Sequence, residues 1–210
     1  MTMVNESMYP DFPHKPITVV LCGVGGQGTI TAAHLLASAA LNDGYDVKVS
    51  EIHGMAQRGG SVSTTVRFGE SVSSMVCDPG QADVLVSFEL MEAVRNLPMV
   101  ARGGHVIAND CEIEPMPVLS GKCEMPSNLR ETLEGVEGAS VLVFDAEHVA
   151  QQAGNRKCAN VALLGAASRH LPLTDASWRS AIEGRVPPKT LDANMAAFDV
   201  SLRLVDGDGR

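Results

Sequence analysis

Aromatic residues are scarce in this 210-residue chain: five Phe, two Tyr and one Trp, 4% of the sequence. So few π-faces exclude a base-stacking surface as the basis of function. Positive charge is short as well, with 16 Lys and Arg against 25 Asp and Glu and a formal net charge of −9. Phosphate backbones and anionic lipids repel such a chain, so nucleic acid and membrane are set aside as partners. No apolar run approaches the ~20 residues that span a bilayer. The amino terminus, MTMVNESMYPDFPHKP, has no basic segment followed by an apolar stretch, so a cytoplasmic protein is expected. The five cysteines, Cys22, Cys77, Cys111, Cys123 and Cys158, show no CxxC spacing and no histidine pair beside them. An odd, scattered set supports neither a disulfide framework nor a metal site, and the expected metal ligands are none.

What remains is a balanced globular chain, 45% hydrophobic and 20% charged, with 20 glycines partly clustered in two loops. Residues 1–16 hold three prolines and read as an N-terminal arm, followed by one domain over 17–204. Ile17 to Cys22 is a nearly continuous, β-branched apolar run, as expected of a parallel strand covered on both faces. Residues 29–42 carry apolar positions at helical spacing, and 47–50 form a second strand, completing a β-loop-α-β unit. Residues 61–68 alternate between apolar and polar positions, and with 72–76 they read as a β-hairpin beside the parallel core. Strands follow at 83–88, 105–109 and 141–145, with helices near 89–97 and 128–135 between them. Helices then fill 146–153, 158–169, 176–183 and 188–204. The expected fold is α/β: a Rossmann-like, doubly wound, mainly parallel sheet with a β-hairpin and a helical C-terminal part.

Gly23-Val24-Gly25-Gly26-Gln27-Gly28 satisfies G-x-G-x-x-G directly after a strand and before a helix. Glycine suits that place because a tight turn, and a backbone that must approach a phosphate, both exclude a Cβ. Glu51 follows 23 residues later at the end of the second strand, where a dinucleotide fold sets the acid that holds a ribose hydroxyl. These residues alone leave two functions open: a stand-alone NAD(P)- or flavin-binding oxidoreductase, or a packing turn in a scaffold.

The second loop runs Ser50-Glu51-Ile52-His53-Gly54-Met55-Ala56-Gln57-Arg58-Gly59-Gly60. It gathers an acid, an imidazole, an amide and a guanidinium at the carboxyl end of a strand, where such sheets bind ligands. Four ordered strings, GVGGQG, KVSEIHGMAQRGGSVSTTVRFG, AGNRKCANVALLGA and VPPKTLDANMAAF, resemble the gamma-domain family of 2-oxoacid:ferredoxin oxidoreductases, in its indolepyruvate branch. The resemblance runs from Ile17 to Phe198.

It implies a non-autonomous subunit of an enzyme that oxidatively decarboxylates an arylpyruvate to the aryl-acetyl coenzyme A and reduces ferredoxin. Thiamine diphosphate, Mg2+ and [4Fe-4S] clusters are then expected on a large alpha subunit, with coenzyme A as co-substrate. His53, Gln57 and Arg58 are the candidates for supporting catalytic roles. Arg58 is expected either to clamp a carboxylate or phosphate bidentately or to form a salt bridge between subunits or within the loop, for example with Glu51. Gly23, Gly25, Gly26, Gln27, Gly28, Glu51, Gly59 and Gly60 are the candidates for cofactor contact. Asn155 and Asn160 are expected either to cap a helix, the simpler reading, or to bind across the subunit interface.

Overall fold

The computed structural model describes residues 15–53 and 59–207. Six strands make one sheet in the order β2-β3-β1-β4-β5-β6. They are β1 (Ile17–Val24), β2 (Asp46–His53), β3 (Ser61–Gly69), β4 (Ala82–Ser87), β5 (Val100–Asn109) and β6 (Ser140–Phe144). β1, β4, β5 and β6 run parallel, while β3 lies antiparallel to both β1 and β2. The α/β class is as expected. The proposed N-terminal arm falls almost wholly outside the described residues.

The helices are α1 (Thr29–Asn42), α2 (Leu90–Asn96), α3 (Met116–Leu119), α4 (Leu129–Glu134), α5 (Ala146–Gln152), α6 (Ala159–Ser168), α7 (Asp175–Arg185) and α8 (Leu191–Gly207). Helices α1 and α5 to α8 build the main core on one face of the sheet, where Val19, Leu21, Val66 and Val86 meet Leu36, Leu163, Trp178 and Phe198. On the other face α2 and α4 cover smaller clusters around Val20, Cys22 and Leu85, and around Leu90, Ala108 and Leu133. Burial of β1 on both sides explains its unbroken apolar run. No helix among the described residues is long and apolar enough to cross a membrane.

Two sequence expectations are corrected. Residues 72–76 do not form the second arm of a hairpin; β3 is flanked by β2 on one edge and β1 on the other. A strand has only two edges, so no place is left for a further partner. Residues 71–78 instead form an irregular strap, held where the Val72 amide donates to Asp46 Oδ2 and where Arg67 donates to the carbonyls of Ser74 and Val76. The hairpin is β2–β3. For the same reason β1 and β2, though linked by α1, are not neighbours.

The chain leaves β1 through α1 on the thick face and leaves β4 through α2 on the thin one. The carboxyl ends of these adjacent strands therefore flank a point where the winding reverses, and a crevice opens there.

Candidate functional site

At the end of β1 the chain turns into α1 within four residues. Gly26 (φ 110°) and Gly28 (φ 87°) occupy the left-handed region that side chains avoid. A Cβ on Gly23 would stand 2.7 Å from that of Phe88, so the loop lies hard against the end of β4. Gln27 secures it: its Oε1 accepts from the Val24 amide at 2.8 Å and its Nε2 donates to the Phe88 carbonyl at 2.9 Å. The side chain of Gln27 is thus a clasp on the loop. Helix α1 begins at Gly28 with no side-chain cap and no acid in its first turn, leaving the positive end of its dipole uncompensated.

The second loop returns to meet the first. The Gly25 amide donates to the Gly60 carbonyl at 2.8 Å, and the Gly59 amide donates to the Gly25 carbonyl at 3.4 Å. Of the candidates, Gly23, Gly25, Gly26, Gln27, Gly28, Gly59 and Gly60 therefore form one junction. His53 closes β2 opposite Val62 of β3. Gln57 and Arg58 lie outside the described residues.

Glu51 is placed elsewhere. Strand β3 separates β2 from β1, so Glu51 sits two strand spacings, about 9–10 Å, from the glycine-loop strand rather than one. Its carboxylate meets His34 Nε2 of α1 at 3.0 Å, and Arg185 meets the other ring nitrogen. The dinucleotide arrangement expected for this acid is not what the fold builds, and the stand-alone nicotinamide or flavin enzyme loses its ribose ligand.

Two cavities open on either side of the glycine loop. One, of about 390 Å³, lies between the loop and α1 against Val24, Ile30 and Val62. The other, of about 700 Å³, lies between Gly26–Gly28 and the start of α6, with Asn109, Glu147, Arg156, Lys157 and Asn160 on its wall. Asn109, 3% exposed, joins its ends: Nδ2 donates to the Phe88 carbonyl and Oδ1 accepts from the Ala146 amide. Arg156 is held by Glu147 through Nε at 2.6 Å and through Nη2. Asn155 caps the short turn Arg156–Cys158 by accepting from the Lys157 amide. Asn160 accepts from the next amide and packs beside Gly28, where a Cβ would approach its Nδ2 to 3.1 Å. Burial pushes the Cys158 thiol up, so its place at a helix start does not activate it.

Sequence reasoning missed two buried acids below this junction. Glu89, 1% exposed, caps α2 by accepting from the amides of Met91 and Glu92. Burial pushes its pKa up despite those bonds. Glu92, 2% exposed, takes Arg95 on one oxygen and the Ser61 hydroxyl, at 2.6 Å, on the other. The available signal was the E-x-x-E spacing directly after β4, a capping-box pattern with an acid in the cap position. Cys22, packed beneath them against Ser87, is pushed up to about 12 by its burial and is an inert core thiol. No group of three or more His, Cys, Asp or Glu among the described residues could hold a metal ion.

The fold and junction together define a class: a doubly wound α/β domain whose strand-end crevice is lined by two glycine loops laced to each other. The chain belongs to the pyruvate ferredoxin/flavodoxin oxidoreductase family, whose profile matches residues 18–204. It is 43% identical over 193 residues to indolepyruvate oxidoreductase subunit IorB of Thermococcus kodakarensis, covering 90% of this chain and 96% of that one. The same fold occurs in the gamma subunit of keto/oxoacid ferredoxin oxidoreductase from Geobacter sulfurreducens, with a TM-score of 0.67 at 22% identity, covering 91% of this chain and 99% of that one. It also occurs within 2-oxoglutarate:ferredoxin oxidoreductase of Magnetococcus marinus, solved with 2-oxoglutarate, coenzyme A and succinyl-CoA bound. That match has a TM-score of 0.69 at 19% identity and covers 93% of this chain but 32% of that one.

Proposed function

We propose that the chain is the small subunit of an indolepyruvate, or more broadly arylpyruvate, ferredoxin oxidoreductase. The reaction breaks the bond between the oxo carbon and the carboxylate, releases CO2, forms the thioester of an aryl-acetyl group with coenzyme A, and passes two electrons to ferredoxin. A large alpha subunit carries thiamine diphosphate, Mg2+ and the [4Fe-4S] clusters, and activity requires both chains. The observation that carries this reading is the 43% identity to an indolepyruvate oxidoreductase subunit along nearly the whole of both chains. Two features of the fold support the division of labour. Cys22 and Cys158 are buried in the core, and the thiols of Cys22, Cys77, Cys111 and Cys158 are pushed up, not down, which suits packing rather than cluster ligation.

In this reading the paired glycine loops face the large subunit and coenzyme A. The uncompensated start of α1 and the amides of the glycine loop favour an anionic group of that co-substrate in the crevice. Arg58, with His53 and Gln57 in support, orients that anion or the 2-oxoacid from the second loop.

The test is reconstitution. Mixing the chain with its large subunit is expected to yield ferredoxin reduction that depends on indolepyruvate and on coenzyme A, while the chain alone yields none. A large subunit that is fully active without this chain, or a chain that by itself binds NAD(P) or a flavin, overturns the proposal.

A further inference from the structure

The bond between Ser61 and Glu92 occupies an unusual position. Ser61 opens β3, directly after the Gly59-Gly60 pair whose backbone is laced to Gly25, and it stands opposite Val24 at the end of β1. Its side chain lies on the thin face of the sheet, where the first turn of α2 presents Glu92. A carboxylate that is 2% exposed needs donors on both oxygens, because each unmatched lone pair retains the penalty of its lost hydration. Arg95, three residues along the same helix, serves one oxygen, and the Ser61 hydroxyl serves the other at 2.6 Å.

Ser61 has no comparable need, since it is exposed and water can satisfy its hydroxyl. The requirement therefore lies with Glu92, and Ser61 is the group that it holds. Glu92 is itself anchored from three directions. Its amide donates to the Glu89 cap, its carbonyl meets the Cys22 thiol at 3.4 Å, and the same carbonyl accepts from Asn96 at 2.9 Å. The anchor, the hydroxyl and the laced glycines border a small cavity of about 60 Å³ between Val24, Gly59, Ser61, Glu89, Glu92 and Arg95. A Cβ on Gly59 would find nothing within 4 Å among the described residues, so its side toward the Cβ position is open. Among the described residues, Gln27 clasps the first loop to the end of β4, the two backbone bonds lace the loops together, and the Ser61–Glu92 bond ties the second loop's exit to α2.

We infer that Glu92 is a positioning residue: acting through Ser61 from the first turn of α2, it pins Gly59-Gly60 against Gly25 and so holds the crevice in its working shape. The functional half of this statement rests on the glycine junction being the site proposed above. The structural half does not.

Ser61→Ala removes the link at an exposed position, Ser61→Thr retains a hydroxyl, and Glu92→Gln withdraws the charge. Amide hydrogen exchange is read in the isolated full-length chain. Ser61→Ala is expected to speed exchange at Gly25 about tenfold, the loss of one bond to a charged acceptor, with Leu21 in mid-strand unchanged. Ser61→Thr is expected to restore the wild-type rate, and Glu92→Gln to fall between them. In the reconstituted complex the KM for coenzyme A is expected to rise about tenfold in Ser61→Ala, with kcat within about twofold. Unchanged exchange at Gly25, or equal acceleration at Gly25 and Leu21, overturns the inference. Faster exchange confined to the junction with an unaltered KM upholds the pin and overturns its part in binding. A wild-type complex without indolepyruvate activity overturns the proposed function while leaving the exchange result to decide the pin.

Discussion

Glycine does opposite work in two regions of this protein. At the carboxyl end of β1, Gly26 and Gly28 adopt left-handed backbone angles that most residues avoid; both line cavities, with open space at the Cβ position of Gly26 and only the Asn160 side chain near that of Gly28. Between α6 and α8, Gly165 has an ordinary helical backbone, and the space around it is filled: a Cβ there would collide with the Phe198 carbonyl oxygen and stand 3.0 Å from the Phe198 Cα. The first pair shapes an opening, and the second glycine lets two helices close. Both follow from the absence of one carbon atom, but the first is chiefly a matter of torsion, with a side chain as the nearest neighbour, and the second is a matter of contact with backbone. Substitution should therefore damage function in one region and stability in the other.

The largest effect is expected at the helix pair. Gly165→Ala forces a methyl group into the α8 backbone, which cannot shift without disturbing the neighbouring Trp178–Phe198 contact. A loss of about 3 kcal/mol is expected by thermal or denaturant unfolding, with assembly failing only because the fold fails. An unchanged midpoint would mean that α6 and α8 stand further apart than described.

Next comes Gln27→Ala, which leaves the Val24 amide and the Phe88 carbonyl without the clasp between them. The expected cost is about 1–3 kcal/mol, with faster amide exchange concentrated in the glycine loop. Gly28→Ala should cost about 1–2 kcal/mol for the left-handed angle. Its loss of activity in the complex should exceed what that destabilisation explains, and Gly28→Asn should be milder because asparagine tolerates that region. Equal losses of stability and activity in Gly28→Ala would erase the distinction between the two regions.

The smallest effect concerns pH. Burial raises the Glu89 pKa in the folded protein, so the native state holds that proton more tightly than the unfolded chain does. The associated stability is complete below the ordinary glutamate value and is lost as pH rises through the raised one. The wild-type thermal midpoint should thus fall relative to that of Glu89→Gln across that interval. Parallel curves would show that the cap bonds to Met91 and Glu92 offset the burial.

How far the sequence disclosed these regions depended on sequence separation. The β1 run, the glycine loop and α1 are local patterns, and their elements lie within a few residues of where the hydrophobic spacing sets them. The strand at 61–68 was visible by its alternation, with Val62, Thr64, Val66 and Phe68 buried. Its neighbours were not, because alternation reports which face is buried and not which edge is paired. Residues 72–76 satisfied a strand pattern and missed the sheet because β3 had no free edge to offer. At the site, the glycines and Gln27 were legible as a motif, although Gln27 clasps the loop. The pairing of Ser61 with Glu92 joins residues 31 apart on different elements, and no spacing rule links them.

By itself the sequence determined the class of fold, the position of the glycine turn and the resemblance to the oxidoreductase family, because these follow from local periodicity, torsional preference and ordered motifs. Only the tertiary structure decided that β3 slots between β2 and β1, that Glu51 is thereby carried away from the glycine loop, and that a buried acid on α2 reaches the junction. Strand order and buried ion contacts arise from which surfaces exclude water together. That choice is made among segments distant along the chain, after local structure has left several pairings equally possible.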